Sequence, residues 1–394
     1  MQNQLLIIFT IEWCVVYKSK QYQYLCVGFG HPKESLHTLR NGSLRSPETS
    51  IERGTLVLYR LKAYAKRGSV LKRIWINERL PGGVLSICPY SAGLLFSAGN
   101  RLYLYRFDSE SGRLAEIAHI ALPNVIKSIH ENKGHICITS QSDSVSFYKF
   151  NEDKKGFELL ASDINAMSIH HLLMLNYHTV VGVSYSGGMV ALNGNFDEEN
   201  ASKRLESLFS FHFSDIMVKP TLAALKPLNN VPKDMNFLLN NVIPWDTSEN
   251  DLQELKPIVC CTVSGSILHI YRISSQLYRV LNTLQELLLI FEPTLPLLGA
   301  TSDFQDWYCQ LSSRQKATIH GDLVESYLRL SFDEQLSVLR PGGSLSSELA
   351  AAANDLLIGS DDTAVDLESE QEDNKTRIIA YLLISLLSEF SRYC

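Results

Sequence analysis

A strand–turn–strand unit recurs along most of this chain, and no other feature constrains the fold as strongly. Gly93–Ser97 and Arg101–Phe107 flank Ala98-Gly99-Asn100. His135–Thr139 and Ser144–Phe150 flank Gln141-Ser142-Asp143, and Thr179–Ser184 and Met189–Leu192 flank Tyr185-Ser186-Gly187-Gly188. Tyr24–Gly30 with Gly54–Leu61, and Ile258–Val263 with Ser266–Tyr271, complete the series. Each run is rich in β-branched, aromatic or aliphatic residues and is bounded by turn formers, the pattern of hairpin strands. Leu56, Leu102, Val145 and Met189 hold equivalent places at intervals of about 45 residues, the length of one four-stranded blade. Ile267 follows at nearly double that interval, after a polar insertion. Val84–Cys88 and Ile126–Ile129 read as inner strands, and Leu114–Ile120 as a trailing one. A parallel α/β fold would need amphipathic helices between these strands, and none is present. The pattern predicts an all-β, WD40-like β-propeller of about five blades.

Three polar segments interrupt the repeat: His31–Arg53, Gly194–Arg204 and Pro227–Lys256. They read as surface excursions. Beyond Arg272 the period changes from two to three and four. Leu277–Ile290, Asp322–Leu339 (two short pieces meeting near Ser331) and Ser344–Leu357 are expected to be helical. Ser360–Asn374 is acidic and solvated. The expected organisation is an irregular N-terminal segment over 1–20, a propeller over 21–272 and a small helical domain over 273–358. An acidic disordered segment over 359–376 and an apolar helix over 377–394 follow.

Composition narrows the function. The 394 residues are 45% hydrophobic and 20% charged, with 36 basic against 42 acidic residues and a net charge of −6. Such a chain does not coat phosphates generically, so any nucleic-acid contact must come from a local patch. The 8 cysteines are scattered without a CxxC. That pattern excludes a zinc knuckle and fits a reducing compartment. Leu5–Tyr17 has the length of a signal core, but Met-Gln-Asn-Gln before it carries no positive side chain and Glu12 interrupts it. Ile378–Leu387 is too short to span a bilayer. The expectation is a soluble protein with no membrane partner.

Catalytic and metal motifs are missing. Gly28-Phe29-Gly30 lacks the third glycine and the helix of a dinucleotide loop. His170 and His171 are strand neighbours, expected on opposite faces and so unable to share a metal. Cys260 and Cys261 read as small hydrophobes in an apolar strand. No nucleophile elbow, HExxH or phosphate loop occurs. The reading is a non-enzyme with no cofactor, no metal and no small-molecule substrate. One patch stands out: Arg60, Lys62, Lys66, Arg67, Lys72 and Arg73, interleaved with Tyr59 and Tyr64. Cations beside aromatics suit phosphates and stacked bases. Lysines that protect an exposed strand edge would look the same.

Near the C-terminal end, Ile319-His-Gly-Asp-Leu-Val-Glu-Ser-Tyr-Leu-Arg-Leu-Ser331 resembles the signature of the A-subunit family of the cleavage and polyadenylation specificity factor. Gly321, Asp322, Leu323, Glu325, Tyr327 and Leu328 match it, and His320 stands where the family has Asp. Pro81–Tyr90, Leu94–Tyr105, Thr262–Leu268, Gln276–Leu281 and Phe304–Tyr308 resemble further family segments. The resemblance runs from about Tyr24 to Leu339, and Pro81–Asn100 is most like a less characterised plant-type paralogue. The family includes the large damaged-DNA-binding subunit and the large propeller subunit of splicing factor 3b. It implies the last propeller and helical end of a longer protein, with the ring incomplete. It also implies a nuclear scaffold of pre-mRNA 3′-end processing or splicing. The expected partners are protein subunits of a nuclear complex, with RNA or DNA as a further partner. The alternative is an adaptor of a cullin ubiquitin ligase. Within the signature, Gly321 is expected to permit a tight turn, Asp322 to cap a helix, and Glu325 to complete a capping box.

Overall fold

A computed structural model describes residues 7–17, 20–32, 51–64, 68–91, 93–108, 113–165, 167–196, 203–213, 215–223, 241–243, 245, 257–294, 317–340, 344–358 and 372–393. The first four repeating pairs are the middle strands of antiparallel sheets. The first sheet holds β1 (Ile7–Tyr17), β2 (Lys20–Pro32), β3 (Ile51–Tyr64) and β4 (Gly68–Leu80), in that order. The second holds β5 (Ile87–Tyr90), β6 (Gly93–Ala98), β7 (Arg101–Asp108) and β8 (Arg113–Ala121). The third holds β9 (Ile126–Asn132), β10 (His135–Ser140), β11 (Val145–Asn151) and β12 (Gly156–Ser162). The fourth holds β13 (Ile169–Met174), β14 (Thr179–Ser184), β15 (Gly188–Asn193) and β16 (Glu206–His212). A three-stranded sheet follows, ordered β17 (Thr221–Leu222), β19 (Ile258–Cys261), β20 (Ile267–Ile270). β18 (Val242–Ile243) pairs with β21 (Arg272–Ile273). The fold is of propeller type, with blade-like sheets followed by helices.

Side-chain alternation explains why the middle strands are apolar throughout. Along β7, Tyr103 and Tyr105 pack with Leu56, Leu58, Leu94 and Phe96, between the first and second sheets. Leu102 and Leu104 point the other way and pack with Ile136, Ile138, Tyr148 and Phe150, between the second and third. On β11, Val145 and Phe147 join Val180, Val190 and Leu192, between the third and fourth. A strand buried on both faces has no polar face, so its period of two is hidden in a continuous apolar run.

Backbone crossings join the sheets. The chain enters the second sheet through Pro81-Gly82-Gly83, which runs against the β6–β7 turn. Gly99 donates its N–H to the carbonyl of Gly83 at 3.0 Å. A Cβ on Gly82 would lie 2.5 Å from the Gly99 Cα, and one on Gly54 would lie 2.1 Å from the Gly82 carbonyl oxygen. The Ser97 hydroxyl accepts the N–H groups of Leu85 and Ser86 at 3.1 and 3.0 Å, and the Ser86 hydroxyl accepts that of Ile129 at 3.0 Å. Arg106 on β7 forms a two-pronged ion pair with Glu152 after β11, one prong at 3.0 Å, and lies over the Phe150 ring.

The helical end comprises α1 (Ser275–Ile290), α2 (Gly321–Glu325), α3 (Phe332–Leu339), α4 (Ser344–Ile358) and α5 (Glu372–Tyr393), with a 3-10 turn at Ser326–Arg329. Leu277, Leu284, Leu288, Tyr327, Leu336, Ala353 and Leu383 meet in one apolar core.

Several expectations are corrected. The 1–20 segment, expected to be irregular, contains β1, paired with β2 from Ile7↔Gly30 to Tyr17↔Lys20. An interrupted signal-like run therefore reads better as an alternating strand. The inner strand expected at Val84–Cys88 is β5, at Ile87–Tyr90, because Pro81–Ser86 is spent on the crossing. The chain divides into two compact units, 1–208 and 209–394. The short sheets after β16 therefore group with the helices. α5 begins at Glu372, inside the segment expected to be disordered through 376. Of the three polar insertions, 33–50, 197–202 and 224–256 apart from 241–243 and 245 lie outside the described residues, as do 304–308 and 359–371.

Gly82→Ala is expected to lower stability by about 1–3 kcal/mol, the range for forcing extra atoms into a packed site. The approaching group is backbone and cannot rotate away. Thermal denaturation of wild type and variant measures it, and an unchanged melt would contradict the crossing geometry.

Candidate functional site

The basic patch sits on the β3–β4 hairpin, at the edge of the first sheet. The register places Arg60 opposite Lys72, Tyr59 opposite Arg73, and Lys62 opposite Val70. Neighbours on β3 point to opposite faces. Arg60 and Lys72 therefore share the face that carries Leu58, while Arg73 lies with Tyr59 on the other. A ladder irregularity between Leu58 and Tyr59 lies just before these pairs. Lys72 and Arg73 are exposed and Arg60 is half-buried. Leu71 and Ile74 beside them are exposed at 49% and 37%. Lys66 and Arg67 lie outside the described residues. The sequence patch is thus two smaller groups on two faces of one edge ribbon. Trp75 and Asn77 further along β4 turn inward against Tyr105, the Asn77 side-chain amide donating to its phenol oxygen at 3.5 Å.

The signature segment is built differently from the expected cap. His320, with extended backbone at φ −83° and ψ 106°, is the N-cap of α2, and its Nδ1 accepts the Leu323 N–H at 3.3 Å. Asp322 lies inside the first turn with an exposed side chain. It can act on the helix dipole but cannot cap, because capping requires the non-helical backbone that His320 already supplies. Glu325 precedes the 3-10 turn and makes no cap hydrogen bond. Gly321 has open space around it. The capping box lies one turn further on. The Ser331 hydroxyl accepts the Glu334 N–H, and the Glu334 carboxylate accepts the Ser331 N–H at 2.8 Å. The Ser331 contacts hold the Glu334 carboxyl below its ordinary range.

Buried polar contacts lock the segment to its neighbours. The His320 N–H donates to Oε1 of Gln285, a fully buried side chain on α1, at 2.7 Å. Tyr327 is fully buried, and its phenol donates to the Gln335 carbonyl at 3.3 Å. The Gln335 side chain returns a bond to the Tyr327 carbonyl at 2.9 Å. Burial pushes the Tyr327 phenol well above its ordinary value. Leu323 and Leu330 are buried in the helical core, with Leu328 packed on it. Sequence reasoning missed Gln285, the His320 cap and the Tyr327–Gln335 exchange. Ser331-x-x-Glu334 was the legible signal, overlooked beside the acidic signature.

The remaining candidates are the His170–His171 and Cys260–Cys261 pairs. His170 and His171 do not point cleanly apart, because a ladder irregularity between Ile169 and His171 brings their rings to 5.0 Å. His170 stacks on Tyr185 at 4.0 Å. Cys260 is fully buried, its thiol donating to the Val218 carbonyl at 2.7 Å and pushed up to about 11 by burial. Among the described residues no three His, Cys, Asp or Glu side chains gather as a metal would require. None of the described helices is long and apolar enough to cross a membrane.

Both the blade-like sheets and the locked signature helix fall within one match: the family model for the CPSF A subunit region covers residues 7–329. The chain belongs to that family. It is similar to DNA damage-binding protein 1 of Oryza sativa subsp. japonica, at 19% identity over 358 residues, 88% of this chain and 30% of the relative. It is also similar to a probable splicing factor 3B subunit 3 of Dictyostelium discoideum, at 23% identity over 294 residues, 72% of this chain and 21% of the relative. The chain thus spans less than a third of either relative's length. The CPSF A match begins at β1 and ends in the 3-10 turn of the signature.

Tyr327→Ala is expected to cost about 3–5 kcal/mol, the range for emptying a buried aromatic site. Ser331→Ala should cost about 1 kcal/mol through its cap, and Asp322→Ala only about 0.3–1 kcal/mol through the dipole. Chemical denaturation of the three variants tests this order. An Asp322→Ala loss exceeding that of Ser331→Ala would return the cap to Asp322.

Proposed function

We propose that this CPSF A family chain is a non-enzymatic nuclear scaffold of the pre-mRNA 3′-end processing or splicing type. It would present blade surfaces to protein subunits and contact RNA through the β3–β4 hairpin. The observation that carries this reading is the family match across both the sheets and the signature helix. The similarity to a splicing factor subunit supports it. Rigid blades stitched backbone to backbone suit a surface that holds partners in fixed register. Three of the signature's polar groups, those of His320, Tyr327 and Ser331, are engaged in helix caps and buried hydrogen bonds, which favours a structural role over catalysis. Similarity to a DNA damage-binding protein favours a second reading, an adaptor of a cullin ubiquitin ligase in contact with damaged DNA.

Affinity purification from nuclear extract with mass spectrometry separates the two. Polyadenylation or spliceosomal subunits support the first reading. Cullin and ligase receptors overturn it in favour of the second.

The hairpin makes its own prediction. Lys72 and Arg73 are exposed cations on the edge ribbon, placed to meet a phosphate backbone. Lys72→Glu with Arg73→Glu should weaken binding of a single-stranded RNA oligonucleotide. The slope of log affinity against log salt should shallow by about 0.7 for each phosphate that the variant no longer neutralises. Fluorescence anisotropy over a salt series measures it. Binding that is absent in wild type, or unchanged in the variant, removes the hairpin from the interface.

A further inference from the structure

We propose that His320 makes the anchoring of the signature helix sensitive to acid, so that one proton on its imidazole releases the first turn of α2. The inference rests on which atom does the capping and is independent of the partner reading above. The Leu323 backbone N–H is a donor and has no other role, so Nδ1, 3.3 Å away, must be the acceptor. Only the neutral ring protonated on Nε2 offers that lone pair. A proton taken from solvent onto Nδ1 turns the acceptor into a donor and sets N–H against N–H. It also puts a full positive charge at the start of a helix, where the dipole already carries its positive end.

Burial works in the same direction. α1 presents the buried Gln285, which holds the His320 backbone N–H at 2.7 Å. From β16 the Phe211 ring lies 5.8 Å from the imidazole. The Asp322 carboxylate, on the same helix, acts on the ring. Burial lowers the imidazole pKa from its ordinary 6.5, and the Asp322 carboxylate and a backbone hydrogen bond at His320 oppose that shift without cancelling it. The sign follows by linkage. The unfolded chain binds the proton more readily than the folded one, so the cap contributes fully above about pH 6.5 and loses that contribution as pH falls below it. An Asp in this place, as in the family pattern, would cap in its ionised form and would survive that range. The substitution therefore changes the pH response of the latch while preserving the cap at neutral pH.

The test compares the full chain with His320→Asn, which keeps a good capping acceptor that does not titrate. Melting temperatures of both are measured from pH 7.5 to 5.5, so that the other histidines cancel in the difference. The expected result is parity at pH 7.5 and a gap of about 2–4 °C opening against wild type at pH 5.5, the shift expected when one cap is removed. Parallel pH slopes overturn the proposal. Nitrogen NMR of the wild-type imidazole decides independently should the variant fail to fold. Nδ1 unprotonated at pH 7.5, with the Leu323 amide shifting as the ring titrates, supports the latch. A ring carrying its proton on Nδ1 at pH 7.5 overturns it.

Discussion

Two-sided burial of the middle strands is the constraint on which the sheet region depends. Each of β6, β7, β10 and β11 supplies side chains to two apolar layers at once, one on either side of its own sheet. Neither layer can form without the next sheet. Phe96, Phe147, Leu102 and Ile136 are fully buried only because a neighbour closes over them. At about 25 cal/mol per Å² of apolar surface, one such side chain contributes on the order of 2 kcal/mol, and it does so only once its neighbours are assembled. Repetition at a blade-sized interval follows from that dependence, since each unit must present two matching faces.

The polar atoms of the connections are arranged to permit this packing. Where sheets join, backbone approaches backbone, and Gly82 and Gly54 occupy the points where a side chain would collide. The hydroxyls of Ser97 on β6 and Ser86 in the crossing take up the N–H groups of Leu85, Ser86 and Ile129. Such groups would otherwise be buried without partners, which costs about 1–3 kcal/mol each. The helical end solves the same problem with Gln285, Tyr327 and Gln335. The side chains of Gln285, Tyr327 and Gln335 are thereby committed to structure.

Much of this fold is legible in the residues alone. The paired runs around Gly99, Asp143 and Gly187 correspond to β6–β7, β10–β11 and β14–β15, because hairpin strands carry their own turn residues. Outer strands such as β4 and β12 are not legible. Their exposed mixture of Leu71, Lys72, Arg73 and Ile74, or of Glu158 and Leu159, lacks any alternation, since a half-solvated edge does not demand one. The basic patch is legible as composition and misleading as a surface. Its residues are neighbours in sequence, while the pleat sends Arg60 and Arg73 to different faces.

The signature shows where the division falls. Sequence by itself determined that a helical segment begins near Gly321, breaks at Ser331 and belongs to the CPSF A family, because those features depend on local spacing and residue type. Which atom caps the helix was decided by tertiary structure. Gln285 and His320 are far apart in the chain, and Gln285 Oε1 receives the His320 N–H. With that backbone held extended, the helix starts one residue before Asp322, and the cap passes from a carboxylate to an imidazole. Local propensity favours acidic residues near a helix start without specifying which position stands at its mouth. That position depends on what is packed against the preceding turn, and only the folded chain supplies it.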